Sequence, residues 1–558
     1  MELQKRVAAA QGREPCDLLV KNVEYLDVFS CEWHKGELAI HGGVIVGVEP
    51  GLRATRELDA RGARAVPGFI DAHVHVESSM MVPRHFEQAV LARGTTSAVC
   101  DPHELANVLG APGIRYFLES ASLLSMDLWV MLSSCVPATH METNGGGTLH
   151  ASDLAPLRTH ERALGLAEVM NMPGVLHGDP EVLAKLEAFA GAPVDGHSPL
   201  LRGQALSAYA STGISSCHES SELEEAREKL IKGMSVWIRE GSVAKDLRAL
   251  APLLTLATST TVGFCTDDRN PFDIATEGHI DHLIRGAIAA GVPETVAYRA
   301  ASWSVARHYG LASGSRRTGA IAPGFDADLV LLGDSRSCAV TSVLKRGRPV
   351  GELPTSAEAG GDHGNTVRAH VPAEAELEGA RGRVHVIGVQ PGKIITTRDV
   401  RAHDAPGVAR LTVLERYGHG TKPANAYVSG FGDALDGAIA SSVGHDSHNL
   451  IVAGSRTGAM RTALAALIEC GGGFCVARGD QVLARLPLPF GGLMSERDPG
   501  ELRAEIGALK LAARSIGCAL EEPFLQLAFL SLPVIPSLKL TDQGLVDVDQ
   551  FKLIPVGA

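Results

Sequence analysis

The stretch Ala65-Val-Pro-Gly-Phe-Ile-Asp-Ala-His-Val-His-Val76 decides the fold. It is an apolar run that closes on His73 and His75, and a spacing of two puts both imidazoles on the same side of an extended strand, a natural first half of a metal site. Seven more strand-like runs follow it: TTSAVCD (95–101), LWVMLSSCV (128–136), ALGLAEVM (163–170), PVDGH (193–197), ISSCHE (214–219), SVWIRE (235–240) and TVGFCTDD (261–268). Helix-like segments separate them. Pro83 opens VPRHFEQAVLAR and Gly94 closes it; Ser221 with Glu224 reads as a capping box before LEEAREKLIKG, where Glu225/Lys229 and Glu228/Lys232 stand at i, i+4. Eight such units in about 250 residues predict an α/β fold built on a (β/α)8 TIM barrel. A doubly wound open sheet is the rival, and it lacks a flanking β piece.

Such a piece is present on both sides. From Asp17 to Pro50 apolar and polar residues alternate about a Gly42-Gly43 turn, and the texture returns at Ala327 to Val350. The expected organisation is a small split β-sandwich from residues 1–66 and 320–350, a metallohydrolase barrel over 67–319, a linker or poorly ordered loop over 351–380 and a second α/β domain over 381–558.

Composition narrows the function. The 558 residues are 45% hydrophobic and 21% charged, enough for a large core, which excludes disorder and a fibrous fold. The net charge of −13 without a Lys/Arg run argues against nucleic acid or an anionic membrane as partner and leaves a small molecule. Met1–Val20 lacks the apolar centre of a secretory signal, and Ala249–Thr266 is broken by Pro252 and several Ser/Thr residues. Ten cysteines without a CxxC pair suit reduced thiols and a cytoplasmic location.

Reactive residues of such a barrel sit where its strands end. Here those ends carry His73 and His75, then Asp101-Pro102-His103-Glu104, Glu168, His197, His218 beside Glu219, and Asp267-Asp268. Four imidazoles and two carboxylates with no thiolate suit divalent Mn, Fe or Zn in a catalytic centre. A carboxylate able to bridge would hold two ions, and Glu168 is the candidate, since the only Lys between 151 and 228 is Lys185, inside the helical run VLAKLEAF. The DPHE segment has a structural reading too: Asp101 as N-cap, Pro102 at the first helical position and Glu104 in the first turn. That reading is compatible with a place in the site. Ser78, Ser79, Arg239 and Glu240 are candidates for the pocket wall, with Ser78 the better fit to a turn. The segment Gly444-His-Asp-Ser-His-Asn449 lacks further ligands for a metal site of its own; it either closes over the barrel mouth or ends a strand. An HxE…PCxxC zinc deaminase is excluded, because Pro15-Cys16 has no second cysteine in position.

The motifs PGFIDAHVHVESSMM, TTSAVCDPHELANVLG, GLAEVMNMPGV, DGHSP, CHES, REGSVAKDL and CTDD resemble the amidohydrolase superfamily and, within it, the bacterial-type adenine deaminases. The resemblance continues through GAIAPGFDADLV, GAIASSVGHDSHN, LPLPFGGLMS and PFLQLAFLSLPVIPSLKLTDQGLVDV, nearly the whole chain. It implies hydrolysis of adenine to hypoxanthine and ammonia in purine salvage, with two divalent metals, Mn or Fe first and Zn as an alternative. Matched motif by motif, His73, His75, Glu168 and Asp267 would hold one ion, and Glu168, His197 and His218 the other. The ions would lower the pKa of a bridging water so that hydroxide attacks C6. Asp267 would take its proton, and Glu104, oriented by Asp101 and His103, would protonate ring N1. Ser78, Arg239, His445 and Asp446 are the further substrate candidates, and a homodimer is the expected assembly. Another amino-heterocycle or cyclic amide is the alternative substrate on the same metals. A silent scaffold is disfavoured, since all six ligands are present.

Overall fold

The computed structural model describes residues 2–314, 316–360 and 364–558. Eight parallel strands form the barrel: Phe69–Val74, Thr95–Cys100, Asp127–Leu132, Ala163–Val169, Val194–Gly196, Ser216–Cys217, Ser235–Arg239 and Val262–Cys265, each paired with the next. Every expected strand is there, and the first is shorter than read. The run 65–76 divides at Gly68 into Arg64–Pro67, which belongs to the small β-sheet, and the first barrel strand. A Cβ at Gly68 would lie 2.1 Å from Thr96 Oγ1, so only glycine lets the chain pass from one sheet to the other there.

The barrel closes at its C-terminal mouth. A parallel bridge joins Val74 to Asp267, the Asp267 N–H donates to the His73 carbonyl (3.0 Å), and Asp71 of the first strand accepts the N–H of Thr266 (3.1 Å), the residue that follows the last strand. Burial pushes the Asp71 carboxyl up to about 7 against those hydrogen bonds. Inward-facing Ile70, Ala72, Val99, Met131, Ala167, Trp237 and Cys265 fill the interior, which is a packed core and not a channel.

Two expected helix starts form differently. The helix Leu223–Ile231 has no side-chain cap from Ser221 and begins after Glu222. Glu225 serves the segment instead, accepting the Leu200 N–H (2.9 Å) and pairing with Lys229 (2.8 Å). That i, i+4 pair is buried under the sixth strand, where Lys229 Nζ also donates to Ser220 Oγ (2.9 Å). The helix His103–Leu109 starts after Pro102 without a cap from Asp101. Asp101 is drawn away by His103 Nδ1 (2.8 Å) and Ser133 Oγ (2.8 Å).

Strands from both ends of the barrel segment make one eight-stranded sheet: Arg64–Pro67 pairs parallel with Cys16–Asp27 and antiparallel with Leu329–Asp334. Beyond it, the segment expected as a linker carries two 3-10 turns, Val350–Glu352 and Glu374–Leu377, among its described residues. It is tied to the barrel where Glu358 accepts Tyr116 Oη and Ser120 Oγ, both at 2.8 Å. The rest of the chain builds a second eight-stranded sheet, from Arg383–Val389 to Gln481–Pro487, and a three-stranded one made of Leu538–Thr541, Gly544–Asp547 and Lys552–Ile554. Helix Thr457–Cys470 covers one face of the larger sheet. The other face contributes Leu411, Val413 and Ile451 to a core shared with Leu105 and Val108 beside the barrel mouth. Apolar packing therefore fixes this region over the end of the barrel where the polar residues collect.

Candidate metal centre

The strand ends bring all six expected ligands together, each of them buried. Glu168 stands in the middle with its two oxygens facing different partners. Oε1 lies 3.5 Å from His73 Nε2 and 3.3 Å from His75 Nε2, whereas Oε2 lies 2.6 Å from His197 Nδ1 and 3.3 Å from His218 Nε2. Asp267 Oδ1 completes the first set, 3.6 Å from His73 Nε2 and 3.1 Å from His75 Nε2. Asp267 is held in a left-handed conformation (φ 54°), which aims its side chain from the closing seam into the mouth.

The donor set fits divalent cations. The His75 Nδ1 is 3.0 Å from the Asp101 carbonyl, so it carries the proton and Nε2 presents a lone pair. That lone pair faces His73 Nε2 at 3.1 Å. Ring nitrogens facing each other among carboxylate oxygens are what a cation between them would satisfy. Ligand atoms of His73, His218 and Asp267, of Glu168, His197 and His218, and of His75, Asp267 and Asp268 each fall within 4.8 Å of one another. Burial opposes ionising Glu168, but His218 and His197 outweigh it and hold the carboxyl well below its usual range. His75 and Arg239 do the same against burial for Asp267.

Other candidates divide. Arg239 is ion-paired with Glu219, with Asp267 Oδ2 (3.0 Å) and with Asp246 (3.2 Å), so it fixes ligands as well as lining the cavity. Ser78 sits in the 3-10 turn Val76–Ser79 and donates to Asp268 Oδ1; it does not line the metal cavity. Ser79 closes the same turn onto the Val76 carbonyl (2.5 Å), and Glu240 is committed to the Leu247 N–H (3.0 Å), so neither forms the pocket wall. Lys185 donates to the Ser134 carbonyl (2.6 Å), away from Glu168.

The segment 444–449 does close over the mouth. His445 and Asp446 line the same cavity as His75, Glu168, His197, His218 and Asp267. His445 Nδ1 lies 2.6 Å from Glu104 Oε1, and His448 Nε2 is in contact with Glu104 Oε2. His103 Nε2 approaches the cluster, 3.5 Å from Glu104 Oε1 and 3.7 Å from Asp446 Oδ1. An apolar rim completes the roof with Ile394, Phe529, Leu532 and Ile535. Sequence reasoning assigned no role to these four or to His448. For Phe529, Leu532 and Ile535 the signal was the unbroken motif text PFLQLAFLSLPVIPS, and apolar residues there read equally well as core.

Residues 64–350 match the Amidohydrolase family, and residues 392–552 match the Adenine deaminase C-terminal domain. The chain is 50% identical to an adenine deaminase of Methylobacterium nodulans, over 99% of each chain. It is 49% identical to an adenine deaminase of Cereibacter sphaeroides and 48% identical to one of Gluconobacter oxydans, again over 99% of each chain.

Proposed function

The chain belongs to the adenine deaminases of the amidohydrolase superfamily, and on that premise we propose how its site hydrolyses adenine to hypoxanthine and ammonia. His73, His75, Glu168 and Asp267 would hold one divalent ion and Glu168, His197 and His218 a second, Mn or Fe by the oxygen and imidazole character of the set. One observation carries this: the two oxygens of Glu168 face two separate groups of imidazoles. Bound there, the ions would supply the positive charge that makes water nucleophilic near neutral pH.

The chain's own residues then move protons. Asp267 Oδ1, beside the reacting centre, accepts a proton from the attacking water and passes it to the departing amino group. Arg239 on Oδ2 keeps that carboxylate from turning away. Attack at C6 puts an electron pair on ring N1, which needs a proton at that moment. The buried cluster around Glu104 supplies it, with Asp101 holding His103 Nδ1 at 2.8 Å and His103 Nε2 turned to Glu104. The apolar rim excludes bulk water and offers Phe529 to the purine plane.

The test is turnover of adenine by Mn(II)-reconstituted protein, scored as hypoxanthine and ammonia with the bound metal counted. Two ions per chain and stoichiometric products are expected. Absence of turnover with both ions bound rejects the reading.

A further inference from the structure

We propose that His445, from the C-terminal region, is the catalytic residue that protonates the purine ring, and that Glu104 is a positioning residue behind it. The inference deepens the function above and rests on it.

The ring-facing donor must own a proton, reach the cavity and have an N–H or O–H not already spent. Glu104 fails the first requirement. Each of its oxygens meets an imidazole, and although burial disfavours its charge, His445, His448 and His103 together hold it ionised, well below the usual carboxyl range. Glu219 is ionised as well, since Arg239 prevails over burial. His103 has Nδ1 committed to Asp101 and Nε2 between two carboxylates.

The two imidazoles on Glu104 are not equivalent. His448 Nδ1 accepts the Gly444 N–H (3.3 Å), so its single proton sits on Nε2, toward Glu104. Burial also favours its neutral form. Among the described residues His445 has no such backbone donor on either nitrogen. Burial opposes its charge, yet Glu104 and Asp268 raise it to about 9, so it is an imidazolium at neutral pH. Its Nδ1 faces Glu104, and Nε2 on the other side of the ring is buried without a hydrogen-bond partner among the described residues. Phe529 stacks on the ring at 4.5 Å and 17°, which fixes its plane. A carboxylate on one nitrogen, an unpartnered N–H on the other and a locked plane on the cavity wall form a general acid built for one direction of transfer.

The balance closes. As the oxygen–C6 bond forms, the His445 Nε2–H bond breaks and N1–H forms, leaving neutral imidazole beside Glu104. The C6–N bond then breaks, with the amino nitrogen taking the proton that Asp267 received from water. The remaining hydroxyl proton leaves to solvent as the C6 carbonyl forms, and solvent reprotonates His445. One water and one adenine become one hypoxanthine and one ammonia.

The experiment compares H445Q, E104Q, H448Q and the double variant E104Q/H445Q, each loaded with Mn(II). H445Q should keep the wild-type metal content and melting temperature and lose on the order of 10²-fold in kcat with little change in KM. E104Q should lose about as much, and the double variant no more than the worse single one, because the two act as a unit. H448Q should lose less. Added imidazole should restore part of the activity of H445G and none of that of D267N. The proposal is overturned if H445Q retains kcat within about threefold, if the two losses multiply, or if H445Q loses metal. An inactive wild-type enzyme with both ions bound would instead bring down the functional reading itself. Should H445Q fail to fold, the imidazole response of H445G decides.

Discussion

The floor and the roof of the site are built on opposite physical plans. The floor is ionic: six side chains from one barrel's strand ends, whose imidazole and carboxylate atoms crowd together closely enough to hold a cation. The roof comes from residues between 394 and 535, with apolar Ile394, Phe529, Leu532 and Ile535 beside His445 and Asp446, and His445 meets Glu104 of the barrel at the seam. The floor is thus suited to activating water, and the roof to holding a flat ring and giving it a proton. Neither is a site alone.

Four substitutions break or sharpen that contrast. The largest effect belongs to Glu168, since each of its oxygens faces a different pair of imidazoles. E168Q should cost at least one ion per chain by elemental analysis and lower kcat/KM by about 10⁴-fold, or ~5 kcal/mol; unchanged two-ion content would remove its bridging role. D267N should spare more of the metal while kcat falls on the order of 10³-fold, as expected for loss of a proton carrier. On the roof the effects are smaller and of another kind. F529A removes the ring surface and the stack on His445, and KM for adenine should rise about tenfold with full metal content. An unchanged KM would mean that the rim does not touch substrate.

The smallest effect concerns what holds the roof in place. Lys539 is fully buried and donates to the carbonyls of Ile394 (2.9 Å) and Phe529 (2.8 Å), two rim residues. Burial lowers its ammonium to about 7. Between that value and its ordinary one near 10.4 the unfolded chain binds the extra proton, so this group makes the protein more stable as pH rises. From pH 7 to 8 the gain is about 1 kcal/mol, and urea midpoints should show it for the wild type and not for K539M. A pH response shared by both would assign it to other groups.

The barrel was legible because its signals are local. Apolar runs ending in His, Glu or Asp identify strand ends whatever the rest of the chain does, and all eight strands formed where those runs lie. Local logic also misled in places. Ser221 and Asp101 looked like helix caps, but a capping side chain is free to be recruited elsewhere: Asp101 is taken by His103, and the Ser221 cap gives way to Glu225. Ser79 and Glu240 stand next to site residues in sequence and yet turn to backbone groups. The roof was hardest to read, because Phe529, Leu532 and Ile535 have the composition of any core segment.

By itself the sequence determined the strand count, the kinds of side chain at the strand ends and, through its motifs, the family. Those depend on residue identity and short spacings. Only the tertiary structure decided that Glu168 turns one oxygen to each pair of imidazoles, that Asp267 enters the mouth from the seam where the barrel closes, and that His445 reaches Glu104 from 341 positions away along the chain. These meetings are set by closure of the sheet and by the apolar packing of the C-terminal region over it, which act on the whole chain at once and leave no periodic trace in any one segment.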